Sequence, residues 1–259
     1  MGDQELIKKI KQKKEFSELA EKDVEIAYSC FGKRQTSEEE KIRLTRELLH
    51  KSFGVFGNRK IFSAKNKTLE WFLKKQLSTR ERFEFYEEIY KRVLNGFEGN
   101  ISIFDLGAGI NGFSYSYFKK LGFNVDYYAV ESIGQFVNLM NFYFEKEKIN
   151  GKAFHLSLFE TEKIKDIIKS ASKKKPKIIF LFKVLDSLEY LKNDSSKELL
   201  LELKDVSDRI IVSFPTESIV KRRKFRAKRT WILDFIQDNF RVLDDFNIIG
   251  ERFIVFENK

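Results

Sequence analysis

Residues 101–112 read Ile-Ser-Ile-Phe-Asp-Leu-Gly-Ala-Gly-Ile-Asn-Gly, an apolar run that flows directly into a glycine-rich turn. The run predicts a buried strand. The glycines at 107, 109 and 112 are spaced so that the backbone can bend sharply and lie close against a nucleotide. A second apolar run, Tyr127 to Val130, is closed by Glu131. An acidic side chain about twenty residues past such a turn can take the hydroxyls of a ribose. Turn and carboxylate together point to an enzyme with a nucleotide cofactor.

From Ile101 onward, strand-like segments at 101–105, 125–130, 152–156, 177–182 and 208–214 alternate with helical stretches. This rhythm predicts an α/β fold with a mostly parallel, Rossmann-like sheet covered by helices on both faces. Arg241 to Ile248 and Glu251 to Phe256 then read as two strands joined around Gly250, a closing antiparallel hairpin. The chain before position 99 reads differently. Leu6, Ile7 and Ile10 recur at helical spacing, and Ser37-Glu38-Glu39-Glu40 and Ser78-Thr79-Arg80-Glu81 look like capping boxes opening helices. Phe53 to Asn58 breaks the first of these helices and Asn95-Gly96 ends the second. The reading divides the chain into a helical region, 1–98, and a Rossmann-like domain, 99–259.

With 259 residues, 42% hydrophobic content and 27 Phe, the chain can fill a substantial core, which excludes a disordered class. No apolar run has the length of a membrane span, and the Lys-rich start has no apolar segment behind it. A single Cys, Cys30, fits a reducing cytoplasm, and one Cys with two distant His, His50 and His155, gives no basis for a zinc site. The net charge of +10 favours an anionic partner, with nucleic acid first among candidates. Residues 221–229, Lys-Arg-Arg-Lys-Phe-Arg-Ala-Lys-Arg, are the densest basic cluster. They follow the fifth strand and Ser213-Phe214-Pro215-Thr216, at the edge where such sheets bind substrate. A charge run is usually a solvated face, but this position, with Phe225 inside and Trp231 just after, favours RNA phosphate contact.

The glycine turn alone fits nicotinamide cofactors as well as S-adenosylmethionine. Asp105, still on the strand two residues before Gly107, tilts the choice, with a helix-capping or turn carboxylate as the competing reading. A pyrophosphate would be repelled by that carboxylate, whereas the charged methionine end of S-adenosylmethionine would be attracted. The closing hairpin and the helical extension agree with a methyltransferase. Exocyclic-amine methylation commonly uses an Asn/Asp-Pro-Pro-aromatic turn, and the only prolines, Pro176 and Pro215, are isolated. Pyrimidine C5 methylation needs a Cys nucleophile, and Cys30 lies among the predicted N-terminal helices. A guanine N7 carries an unprotonated lone pair and needs only in-line positioning.

These motifs resemble the aminoglycoside-resistance 16S rRNA methyltransferases, the Arm/Rmt (FmrO-like) family. Leu49-His50 with Gly54 is similar to that family's early helical motif, and Ser78 to Arg82 to its Ser-Thr-x-Glu-Arg element. Asp105 to Asn111 matches its glycine turn, Phe182 to Leu185 its Phe-Lys-Leu/Met-Leu segment, and Ser213 to Ile219 its Ser-Phe-Pro-x-x-Ser-Leu loop. Trp231 resembles its downstream Trp, and Ile249-Gly250-Glu251 its Ile-Gly-x-Glu turn with one residue fewer. Gly112 stands where the family has Pro, Gln76 where it has His, Phe56 where it has Tyr, and Ser157 where it has an acidic or polar residue near the adenine. The Lys/Arg run replaces a Gly-Lys-Gly-Met stretch.

The resemblance implies N7 methylation of a guanine in the decoding-site helix of 16S rRNA within the 30S subunit, with the helical region docking on rRNA. It implies S-adenosyl-L-methionine held by Arg82, Asp105, Gly107, Ala108, Gly109, Asn111, Glu131, Ser157, Leu158 and Phe182. Arg82 would pair the methionine carboxylate, Glu131 would hold the ribose, and Ser157 and Leu158 would flank the adenine. Lys183 is expected near the target base, with a surface lysine at a helix start as the competing reading. Lys221, Arg222, Arg223, Lys224, Arg226, Lys228 and Arg229 are expected on RNA. The expected protein is a cytoplasmic monomer with no metal and no membrane partner. A methyltransferase of the same fold acting on another RNA or a protein, and a non-catalytic RNA-binding module, are the alternatives.

Overall fold

The computed structural model describes residues 3–53, 59–62, 64, 67–216 and 229–259. Its strands are β1 (Asn100–Leu106), β2 (Asn124–Glu131), β3 (Gly151–His155), β4 (Lys177–Phe182), β5 (Arg209–Pro215), β6 (Phe240–Ile248) and β7 (Glu251–Asn258). They fall on the seven predicted segments within one residue at each end, except the last strand, which extends two residues further to Asn258. They form one sheet in the order β3-β2-β1-β4-β5-β7-β6. The first five are parallel, and β7 runs antiparallel to both β5 and β6. This is the Rossmann-like arrangement with a closing antiparallel pair that the alternation predicts. The sequence did not show that β7 lies inside the sheet, between β5 and β6.

Successive residues of a strand face opposite sides, which explains why β1 carries apolar residues on both faces. Ile101 and Ile103 join one buried cluster, with Tyr90, Phe118, Tyr127 and Phe180. Phe104 and Leu106 join the cluster on the other face, with Val130, Ile179 and Leu181. Each such side chain contributes about 1.5–3 kcal/mol through burial. Of the polar residues of β1, Asn100 is exposed, whereas Ser102 and Asp105 are buried. Strand order reverses beside β1, since the chain runs outward through β2 and β3 and returns at β4. The crevice this opens lies at the carboxyl ends of β1 and β4.

Helices Asp3–Lys11, Glu21–Gly32 and Glu38–Phe53 bury Leu6, Ile7, Ile10, Val24 and Leu49 together with Leu191 of the helix Leu185–Leu191. Ser37 caps the third helix, its Oγ accepting the Glu40 N–H at 3.2 Å. Backbone bonds fasten this region to the loop after β2: Ala20 N–H donates to Ser132 O and Gly134 N–H to Glu18 O, each at 2.8 Å. Residues 54–58, where a helix break is predicted, lie outside the described residues beyond Phe53.

The second predicted cap is corrected by the structure. The helix around it, Leu77–Arg82, has Gln76 as its N-cap residue, is only six residues long, and passes through a 3-10 turn, Phe83–Phe85, into Tyr86–Val93. Ser78 is inside this helix rather than before it. Glu81 is not a cap, because its carboxylate binds Lys183. Among the described residues no helix is long and apolar enough to cross a membrane.

Candidate cofactor site

The glycine turn leaves β1 with Gly107 at φ +75° and Gly109 at φ +56°, a left-handed backbone that glycine adopts without strain. Space enforces the same choice. A Cβ on Gly107 would stand 2.5 Å from Val184 Cγ2, and one on Gly109 2.8 Å from Gln76 Nε2. Gly112 is different, because its φ is not left-handed. A Cβ there would meet Phe144 Cζ at 2.7 Å and Tyr127 Cε1 at 3.0 Å. Two aromatic rings occupy the room that a proline ring would need.

The turn forms the floor of a cavity enclosing about 790 Å³ of empty space, the solvent at its mouth included. Asp105, Gly107, Ala108, Gly109, Asn111, Glu131, Leu158 and Phe182 all line it, as do Arg82 and Lys183. Side chains from positions 82 to 183 thus converge on one space.

Asp105 is fully buried and its Oδ2 accepts the Asn111 Nδ2–H at 2.7 Å and the Tyr127 hydroxyl. Burial raises its carboxyl above the usual range, and these two donors and the nearby Arg82 oppose that. Both bonds fall on Oδ2, which leaves Oδ1 for a ligand. Asn111 is itself oriented by the Tyr86 hydroxyl, which donates to Oδ1 at 2.8 Å. Its side chain therefore positions Asp105. Glu131 accepts the Gly109 N–H on Oε2 at 2.7 Å and the Ile133 N–H on Oε1 at 2.8 Å. Burial pushes its carboxyl up to about 7, against those two amides and with help from Asp23 and Asp105.

Arg82 reaches the cavity, but its main partner is a residue of the chain. Its Nε and Nη2 donate to the Glu251 carboxylate at 2.9–3.1 Å, and its guanidinium lies 4.8 Å from the Phe182 ring centre. These three bonds use Nε and Nη2 only. Lys183 is neither a surface lysine nor an open cation. It is buried at φ +58°, with Nζ 2.5 Å from Glu81 and 3.0 Å from Glu251. Ser213 Oγ also donates to Glu251. Glu251 is held below its ordinary range by Arg82 and Lys183, against the effect of burial.

Ser157 does not line the cavity. Its hydroxyl donates at 2.8 Å to Asp23 Oδ1, and Asp23 does line it. Ser132 donates to Asp23 Oδ2. Lys221, Arg222, Arg223, Lys224, Arg226 and Lys228 lie outside the described residues. Arg229, grouped with them for RNA contact, faces inward. Its Nε and Nη2 donate to Asp186 at 3.1 and 2.7 Å, and Nη1 donates to Pro215 O at 2.9 Å. Trp231 is partly exposed, with Lys197 Nζ 5.8 Å from its ring.

Sequence reasoning assigned no role to Asp23, Ser132 or Glu251. Glu251 was visible in the Ile-Gly-Glu turn, but its partners lie 68 and 169 positions away in sequence. Nothing local marks Asp23. Two buried atoms without a hydrogen-bond partner among the described residues, Ser52 Oγ and Gln76 Oε1, belong to residues of the cavity wall. Unmatched polar atoms, flanking carboxylates and a glycine floor suit a polar, cationic nucleoside.

No protein-family model and no curated protein sequence matches the chain. Solved structures do. The 16S rRNA methylase RmtB superposes with a TM-score of 0.77 at 16% identity, covering 100% of this chain and 99% of its own. The 16S rRNA methyltransferase RmtF, in complex with S-adenosyl-L-homocysteine, gives 0.78 at 20% identity with both chains covered completely. An rRNA methylase from Escherichia coli gives 0.76 at 16% identity, with 99% of each chain covered. From its first helices to its closing hairpin, the chain has the fold of the 16S rRNA methylases.

Proposed function

We propose that this protein is an S-adenosylmethionine-dependent methyltransferase of 16S rRNA, acting within the 30S subunit on N7 of a guanine in the decoding-site helix. One arrangement carries the reading: Asp105 and Glu131 flank a left-handed glycine turn in a cavity at the switch point of a fold shared end to end with 16S rRNA methylases.

Bound S-adenosylmethionine supplies a methyl group on a positively charged sulfur, open to in-line attack by a lone pair. The chain's own residues orient and enclose it. Asp105 Oδ1 attracts the methionine ammonium, Arg82 Nη1 the carboxylate, and Glu131 the ribose hydroxyls. Phe182 and Leu158 exclude water, which strengthens each of these contacts. Guanine N7 is unprotonated at neutral pH, so no side chain has to remove a proton. Glu81 and Glu251 are consistent with that economy, since both are neutralised by Lys183 and Arg82. Lys183 shapes the rim through these carboxylates, and the net charge of +10, with the run at 221–228, serves the RNA backbone.

The test is incubation with labelled S-adenosylmethionine and, separately, purified 30S subunits, naked 16S rRNA and tRNA, followed by mapping of the modified base. Label is expected in 16S rRNA of 30S subunits, at a guanine that becomes sensitive to N7-specific strand cleavage. Label confined to tRNA or protein overturns the assignment.

A further inference from the structure

The structure assigns Asp23, on the N-terminal helix Glu21–Gly32, as the carboxylate that reads the exocyclic amine of an adenine at the base end of the cavity. This inference rests on the cofactor reading above and names a residue outside the sheet as its specificity determinant.

Sheet order fixes the direction of a bound nucleoside. Asp105 and Phe182, on β1 and β4, mark one end of the cavity, and Glu131 at the end of β2 marks its middle. The next strand outward is β3, so the base extends past β2 toward the residues after β3. Ile133 and Leu158, which follow β2 and β3, line the cavity there, and Leu191 of the wall packs with Val24, next to Asp23. Asp23 is the carboxylate in that wall. It is only 2% exposed, and among the described residues no ion pair reaches it.

Its two hydrogen-bond donors are hydroxyls. Ser132 follows β2 and donates to Oδ2, and Ser157 follows β3 and donates to Oδ1 at 2.8 Å. Each carboxylate oxygen can accept a further donor. Burial without a cation pushes Asp23 up to about 6, so the group gains from any additional N–H brought to it. Adenine brings such a donor in its 6-amino group and no acidic group that would repel a carboxylate. Position 157, two residues past β3, holds a serine that does not line the cavity and instead bonds Asp23. The carboxylate is thus delivered through space from the first helices, and Ser157 and Ser132 act as positioning residues for it.

The experiment is calorimetric binding of S-adenosylhomocysteine and of S-inosylhomocysteine, in which a carbonyl replaces the amine, to the full chain and to Asp23→Asn. The wild type should prefer the adenosyl compound by about ten- to a hundredfold, the range of a hydrogen bond to a charged group. In Asp23→Asn that preference should shrink toward unity, because an amide can donate to the inosyl carbonyl. A role confined to holding the helix in place would weaken both ligands equally. A wild type that binds both equally overturns the inference without any variant, as does a folded Asp23→Asn that keeps the full preference. Failure of the wild type to bind either compound instead overturns the cofactor reading itself.

Discussion

Glu131 has two tasks that depend on its charge. Its carboxylate anchors the Gly109 and Ile133 amides, and in the proposed function it also takes the ribose hydroxyls. Replacing it with Ala should weaken S-adenosylhomocysteine binding by about 1–3 kcal/mol, measured by calorimetry. Ribose hydroxyls donate to the ionised form, so binding by the wild type should strengthen as pH rises through about 7, where the free group titrates. Stability should move the other way. The folded protein holds protons on Glu131 and Asp23 up to about 7 and about 6, whereas the unfolded chain releases them near 4.5 and 3.8. Their contribution is fully present below those lower values and lost as pH rises through the upper ones. The urea midpoint of the unliganded protein should therefore fall between pH 5 and pH 8, and by less in Glu131→Gln. At this scale the glycine turn, Asp105 and Glu131 were legible because they belong to two consecutive strands. Asp23 and Glu251 were not, because what brings them to the cavity is tertiary packing.

Between elements, the cluster Arg82–Glu251–Lys183–Glu81 ties the helix Leu77–Arg82 to the start of β7 and the end of β4. Glu251→Ala leaves two buried cations without their shared partner and should cost about 3–5 kcal/mol in chemical denaturation. Removing the more exposed pair Arg252–Asp245, next along β7, should cost no more than about 1 kcal/mol. The packing of Gly112 offers a second test. Gly112→Ala should destabilise by about 1–3 kcal/mol through overpacking against Phe144, and Phe144→Leu should recover much of that loss. In the sequence Gly112 stands out only as a departure from the proline of the resembled family. Its cause is a ring on the helix Gly134–Lys146, which no local pattern announces. The second capping box misled for a related reason. Its spacing was correct, but Glu81 gains more from a buried ammonium than from a helix end.

For the molecule as a whole, the helices at the start of the chain form one wall of the cavity. Asp23, Ser52 and Phe53 line it beside residues of the sheet. Addition of S-adenosylhomocysteine should slow amide exchange in Glu21–Gly32 and Glu38–Phe53 as well as in the turn after β1. Protection confined to residues beyond 99 would show that these helices do not enclose the ligand. Seven strands and their parallel rhythm could be read from the sequence because each is an apolar run between turns. The interior place of β7 could not, since pairing order is decided by which edges meet.

That place has a consequence for how the protein is made. On the ribosome β5 and β6 both emerge before the strand that joins them, so the growing sheet carries an open, apolar edge at β5 until residues 251–258 appear. Glu251 is the first residue of that strand and also the counter-charge for Arg82 and Lys183. The same late segment therefore closes the sheet and neutralises the rim of the cavity. Synthesis interrupted at Gly250 leaves a chain with neither.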